Sequence, residues 1–149
     1  MPRARQRIHV DVSFTVRKKP ISSRRARDAV IAALAAERVK DALISVAFVG
    51  SDMMAQLNEQ FLSRNGPTDV ITFGLSRNGG KMPVIGDIYV CPPVARRNAK
   101  TLGIPASEEL SRLIVHGTLH ILGYDHPEDD NRTSSAMWKR QERILDSLD

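Results

Sequence analysis

Two runs decide the fold: TDVITFGL at Thr68–Leu75 and, across the Gly79-Gly80 turn region, VIGDIYVC at Val84–Cys91. Both are rich in β-branched and aromatic residues, so both read as strands, and they are expected to pair as a hairpin with a loose loop. Working towards the N-terminus, Asn65-Gly66-Pro67 breaks a helix that starts at the Ser51-Asp52 cap, in which Met53, Met54, Leu57 and Phe61 recur at helical spacing. A strand at Ala42–Val49 precedes it. Before that, Ser22 or Ser23 caps a helix with an apolar stripe of Ala29, Val30, Ala33, Leu34 and Ala36. The opening strand alternates as IHVDVSFTV, with Ile8, Val10, Val12, Phe14 and Val16 on one face. Towards the C-terminus, Pro92-Pro93 starts a short helix through Ala99, and Gly103 and Pro105 separate it from the helices that end the chain. The order β-α-β-α-β-β-α-α-α puts strands early and helices last. It predicts an α+β fold, a mixed four-stranded sheet packed with about five helices, as a single domain over residues 1–149.

With 149 residues, 42% hydrophobic and 26% charged, the chain has the size and balance of one globular domain. It has neither an apolar run long enough to span a membrane nor the apolar region of a secretory signal in MPRARQRIHVDVSF. Cys91 is the single cysteine, so there is no internal disulfide and no cysteine knot for a structural metal. A cytoplasmic location is expected. The net charge of +5, clustered at Arg3, Arg5 and Arg7, at Arg17, Lys18 and Lys19, and at Arg24, Arg25 and Arg27, favours polyanionic partners such as nucleic acid.

Glu108 and Glu109, following Ser107, suit the positive end of a helix that the run LSRLIVHGTLHIL carries to Gly123. Leu110, Ile114, Gly117 and Ile121 fall on one stripe of that helix. His116 and His120 share another face one turn apart, where two imidazoles can address one ion. Gly123 can end the helix in a left-handed conformation and let Tyr124-Asp125 return His126 towards the pair. Three of the four histidines therefore sit at relative positions 0, 4 and 10; His9 has no comparable partner and reads as an ordinary strand residue. Three imidazoles favour a transition metal, in the first place Zn2+, with nickel not separable from it by sequence. They leave one open coordination position, where a water's pKa would drop towards about 7. Asp125 reads equally as a partner for an imidazole N–H and as a turn residue.

The same spacing occurs in metzincin proteases, but their glutamate base follows the first histidine, and here that position is Gly117. Without the base, a metal site suits anionic phosphodiesters better than peptides. The stretch His116-Gly117-x-Leu119-His120-x-x-Gly123-Tyr124-Asp125-His126 resembles the signature of the YbeY family of bacterial endoribonucleases. The resemblance extends to Leu57-Asn58, Pro67-Thr68-Asp69-Val70, Thr72-Phe73, Gly86-Asp87-Ile88, Glu109, Met137 and Glu142-x-Ile144-Leu145. It implies a mixed sheet with helices and Zn2+ on His116, His120 and His126. It further implies cleavage of single-stranded RNA, with ribosomal RNA and the ribosome or its assembly factors as partners, in ribosomal RNA maturation and small-subunit quality control. One position departs from the family pattern: where the family has an arginine thought to assist catalysis, this chain has Leu62. Either Arg64, two residues on, supplies the cation, or the assignment does not carry over and Arg64 is a plain surface residue. Two other readings stand beside the nuclease, a zinc metalloprotease-like hydrolase using Asp125 or Asp129 as base and a non-catalytic, metal-containing ribosome-assembly factor.

Overall fold

The computed structural model describes residues 7–75, 83–124 and 135–148. Along them run β1 (Arg7–Phe14), α1 (Ser23–Ala36), β2 (Asp41–Phe48), α2 (Ser51–Leu62), β3 (Val70–Gly74), β4 (Val84–Val90), α3 (Pro92–Leu102), α4 (Ala106–Ile121) and α5 (Ala136–Asp146). The order is the one read from the sequence, and the fold is α+β. Several ends shift. Ser22, rather than Ser23, caps α1 by accepting from the Arg25 N–H. α3 continues past Ala99 to Leu102 and stops at Gly103, whose φ of 69° is the left-handed conformation that suits glycine. α4 starts at Ala106 behind Pro105, which places Ser107 inside the helix with Glu108 and Glu109 in its first turn.

The four strands form one sheet in the order β1-β2-β4-β3. β1 and β2 are parallel, β2 and β4 are parallel, and β3 pairs antiparallel with β4 as the expected hairpin. Strand periodicity sets the burial: in β2 Ala42, Ile44, Val46 and Phe48 are buried in alternation, whereas edge strand β1 alternates only between exposed and half-buried positions. Phe14 stacks on Phe48, its register partner, at 4.9 Å.

α4 is the organising helix, packed against α1, α3, α5, β3 and β4. Two contacts set its distance from the sheet. At Gly117 an added Cβ would lie 3.0 Å from Thr72 Cγ2 and 3.1 Å from Ile88 Cγ2, so the helix backbone lies directly on β3 and β4. One turn on, Ile121 fills the hollow left by the cross-strand pair Gly74 and Gly86; a Cβ at Gly86 would come within 2.6 Å of its Cδ1. The main core lies between α1, α4 and the sheet, and a smaller cluster of Val49, Met54, Ile71 and Cys91 lies with α2. Among the described residues no helix is long and apolar enough to cross a membrane.

Candidate active site

With Gly117 and Ile121 turned to the sheet, an adjoining side of α4 carries His116, half-buried, and His120, exposed. Their ring centroids are 6.1 Å apart with an interplanar angle of 80°. The helix closes as its sequence suggested: Gly123 has φ 106°, its N–H bonds the His120 carbonyl, and the Tyr124 N–H bonds the Leu119 carbonyl. Tyr124 then donates its hydroxyl to Glu37 at the end of α1, and Glu37 also accepts from Arg140 of α5. The hydrogen bond to the Glu37 carboxylate raises the Tyr124 pKa above its ordinary value. The chain that leaves α4 is therefore anchored at Tyr124. Asp125, His126 and Asp129 lie outside the described residues. His9 is an exposed residue of edge strand β1.

Behind the histidines runs a connected chain of polar side chains. Gln141 of α5, buried, places its Oε1 2.7 Å from His116 Nδ1. The amide orientation is set from its other side, because Gln141 Nε2 donates to the Glu142 carboxylate at 3.0 Å and a carboxylate only accepts. The oxygen must then face the ring, so Nδ1 carries a proton, and in the neutral imidazole Nε2 is the nitrogen left with the lone pair that a metal requires. Glu142 is gripped by the Arg112 guanidinium through Nε and Nη2, each at 3.0 Å. Arg112 also bridges to Glu109 at 3.1 Å. Asn98 of α3 donates to Glu109 at 3.4 Å and to Asp69 at 3.1 Å. Burial pushes the Glu109 carboxyl above the usual carboxylate range, and its bonds from Arg112 and Asn98 offset part of that.

This chain borders a cavity of about 420 Å³ with His116 in its wall, lined also by Asp69, Asn98, Arg112, Leu113 and Trp138. The loop after α2 stands apart from it. Arg64 is exposed and is not among the cavity-lining residues, and its guanidinium makes no ion pair or hydrogen bond with the described residues. The loop is nevertheless tied down: buried Asn58 donates to the Gly66 carbonyl at 2.8 Å, and the Arg64 N–H bonds the Asn58 carbonyl at 3.2 Å. Leu62, where the family pattern has arginine, is exposed, and neighbouring Phe61 meets Phe73 edge-on at 5.1 Å.

Among the described residues no three metal-type side chains converge. His116 and His120 supply two imidazoles on adjacent turns, one with its tautomer fixed by a buried amide, and this donor chemistry fits a transition metal. Reading the sequence missed Gln141, Arg112 and Asn98. A signal for part of the network was present, because Glu109, Arg112 and His116 follow i, i+3, i+7 and so share one stripe of a largely buried helix.

Fold and site together define a class: a small α+β domain with a histidine-centred site on its central helix. Comparison with known proteins narrows it. The family profile described as endoribonuclease YbeY matches residues 11–149, and the chain belongs to that family. An endoribonuclease YbeY from Syntrophus aciditrophicus is 34% identical, covering 97% of this chain and 94% of its own length. One from Thermotoga petrophila is 37% identical over 75% of this chain and 71% of its own length. The solution structure of a Thermotoga maritima protein superposes with a TM-score of 0.64 at 26% identity, covering 94% of this chain and 89% of that one.

Proposed function

We propose that the protein is a zinc-dependent, single-strand-specific endoribonuclease of the cytoplasm that acts in ribosomal RNA maturation and ribosome quality control. The observation that carries the metal part is the His116–Gln141 contact, which prepares an imidazole nitrogen for a metal on the same helix face as His120. His116, His120 and His126 would hold one Zn2+, or another divalent transition metal. When bound, the ion would supply Lewis-acid charge for a phosphate oxygen and a more acidic water. Family membership supports RNA as the substrate, and the net charge of +5 suits a polyanionic strand and a ribosomal setting. Arg64, exposed on a tethered loop and unpaired among the described residues, is the cation proposed to contact the strand in place of the arginine missing at Leu62. A protease reading loses ground at Gly117, where a Cβ would already crowd Thr72 and Ile88 at 3.0 and 3.1 Å and a glutamate base would be pressed against the sheet.

The test is incubation of metal-loaded protein with single-stranded RNA beside His116→Ala and His120→Ala. Cleavage by the wild type and loss of at least about a hundredfold in both variants is expected, since second-rank ligand partners alone are worth roughly 10–100-fold. Equal cleavage by all three would assign the activity to a contaminant. Binding of RNA without turnover would favour the assembly-factor reading.

A further inference from the structure

The cavity beside His116 has walls of two kinds. Val70, Leu113, Met137 and Trp138 present apolar surface, and Asp69 and Asn98 present polar groups. Its charge does not suit a phosphate. Among the described lining residues, Asp69 and Glu109 are set against one guanidinium, that of Arg112, which is already engaged by Glu109 and Glu142. An anion entering beyond the histidine side would be desolvated beside two carboxylates, with no uncommitted guanidinium or ammonium among the described lining residues. A flat, uncharged heterocycle meets none of that penalty. About 420 Å³ lies within the roughly 300–1,000 Å³ range of small-ligand pockets and accepts one planar ring system. The Asp69 carboxylate accepts from Thr68 and Asn98, and its remaining lone-pair sites can take further N–H donors.

We propose that this cavity receives one unpaired nucleobase of the RNA strand, placed against Trp138 and met at its N–H edge by Asp69, while the phosphate next to it stays outside at the histidines. This inference rests on the endoribonuclease reading and adds to it a base-binding subsite. It also gives single-strand specificity a physical cause: a base paired in a helix is stacked and its donor edge is occupied, so it must leave the duplex before it can enter. Trp138 is half-buried and is the chain's single tryptophan, so the protein carries its own reporter at the cavity.

The experiment titrates metal-loaded full-chain protein with short 2′-O-methyl oligonucleotides, which retain their bases and lack the ribose hydroxyl, and with an abasic ribose-phosphate oligomer of equal length. Trp138 emission and the anisotropy of a dye on the oligomer are read together. Base-bearing oligomers are expected to change Trp138 emission and to bind roughly tenfold more tightly than the abasic one, in line with one base stacked on an aromatic ring. Trp138→Leu should remove that advantage and leave abasic binding unchanged. Equal affinities for base-bearing and abasic oligomers with unchanged emission would overturn the base subsite and leave the nuclease reading standing. No binding of either oligomer, together with no RNA cleavage, would remove both.

Discussion

The two faces of α4 solve different problems on one helix. The sheet-facing stripe of Gly117 and Ile121 is closed, with glycine where the backbone must touch Thr72 and Ile88 and an isoleucine seated over Gly74 and Gly86. A second stripe, of Glu109, Arg112 and His116, is polar, linked residue by residue to Gln141 and Glu142 of α5, and open to a cavity. His116 is thus aimed from behind. Packing on the sheet fixes the rotation and depth of the helix, and the hydrogen-bonded chain fixes the ring of His116. Chemistry on one face depends on an absence of side chain on the other.

The largest expected effect tests the closed face. Gly117→Glu would restore the glutamate of a protease motif, but here it should destabilise the fold by about 3 kcal/mol or more, because it overfills a packed contact and buries a carboxylate among apolar atoms. Chemical denaturation measures this. A stable variant that cleaves peptides would contradict the packing role of Gly117. On the open face, Gln141→Leu should weaken metal affinity roughly 10–100-fold in chelator competition, the usual cost of losing the partner of a ligand histidine. Gln141→Glu keeps an acceptor for Nδ1 but puts a second carboxylate where the amide now donates to Glu142, so it should recover only part of the loss. Unchanged affinity in the leucine variant would show that His116 is aimed by packing alone.

The smallest effect concerns Glu109. Burial holds its folded-state pKa above the ordinary 4.5, so the protonated form is favoured by folding. Its contribution is fully present below 4.5 and is lost as pH rises through the raised value. The melting temperature of the wild type relative to Glu109→Gln should therefore decline as pH rises through that window. A difference that grows with pH would mean that pairing with Arg112 outweighs burial.

What the sequence revealed follows the range of the forces involved. The alternation of β1, the β3–β4 hairpin and the i, i+4 histidine pair are local patterns, legible because each is completed within one element or across one turn. The sheet order β1-β2-β4-β3 was not legible, since β2 pairs parallel with β4 across an intervening helix and strand. Gln141 was hidden for the same reason: it lies 25 residues from His116 and reaches it only because α5 packs on α4. Gly117 was readable as a missing base, but its packing role needed Thr72 and Ile88 in place. Arg64 was inferred from a displaced family position, and its exposed, untied side chain keeps that role a matter for experiment.

The central claim is a metal ion on the open face of α4, and elemental analysis of the protein purified without chelator tests it most directly. The account predicts about one divalent transition-metal ion per chain, zinc foremost, sharply reduced in His116→Ala and His120→Ala while both remain folded. Wild-type protein that cleaves single-stranded RNA with no bound transition metal, or variants that retain it in full, would contradict the account.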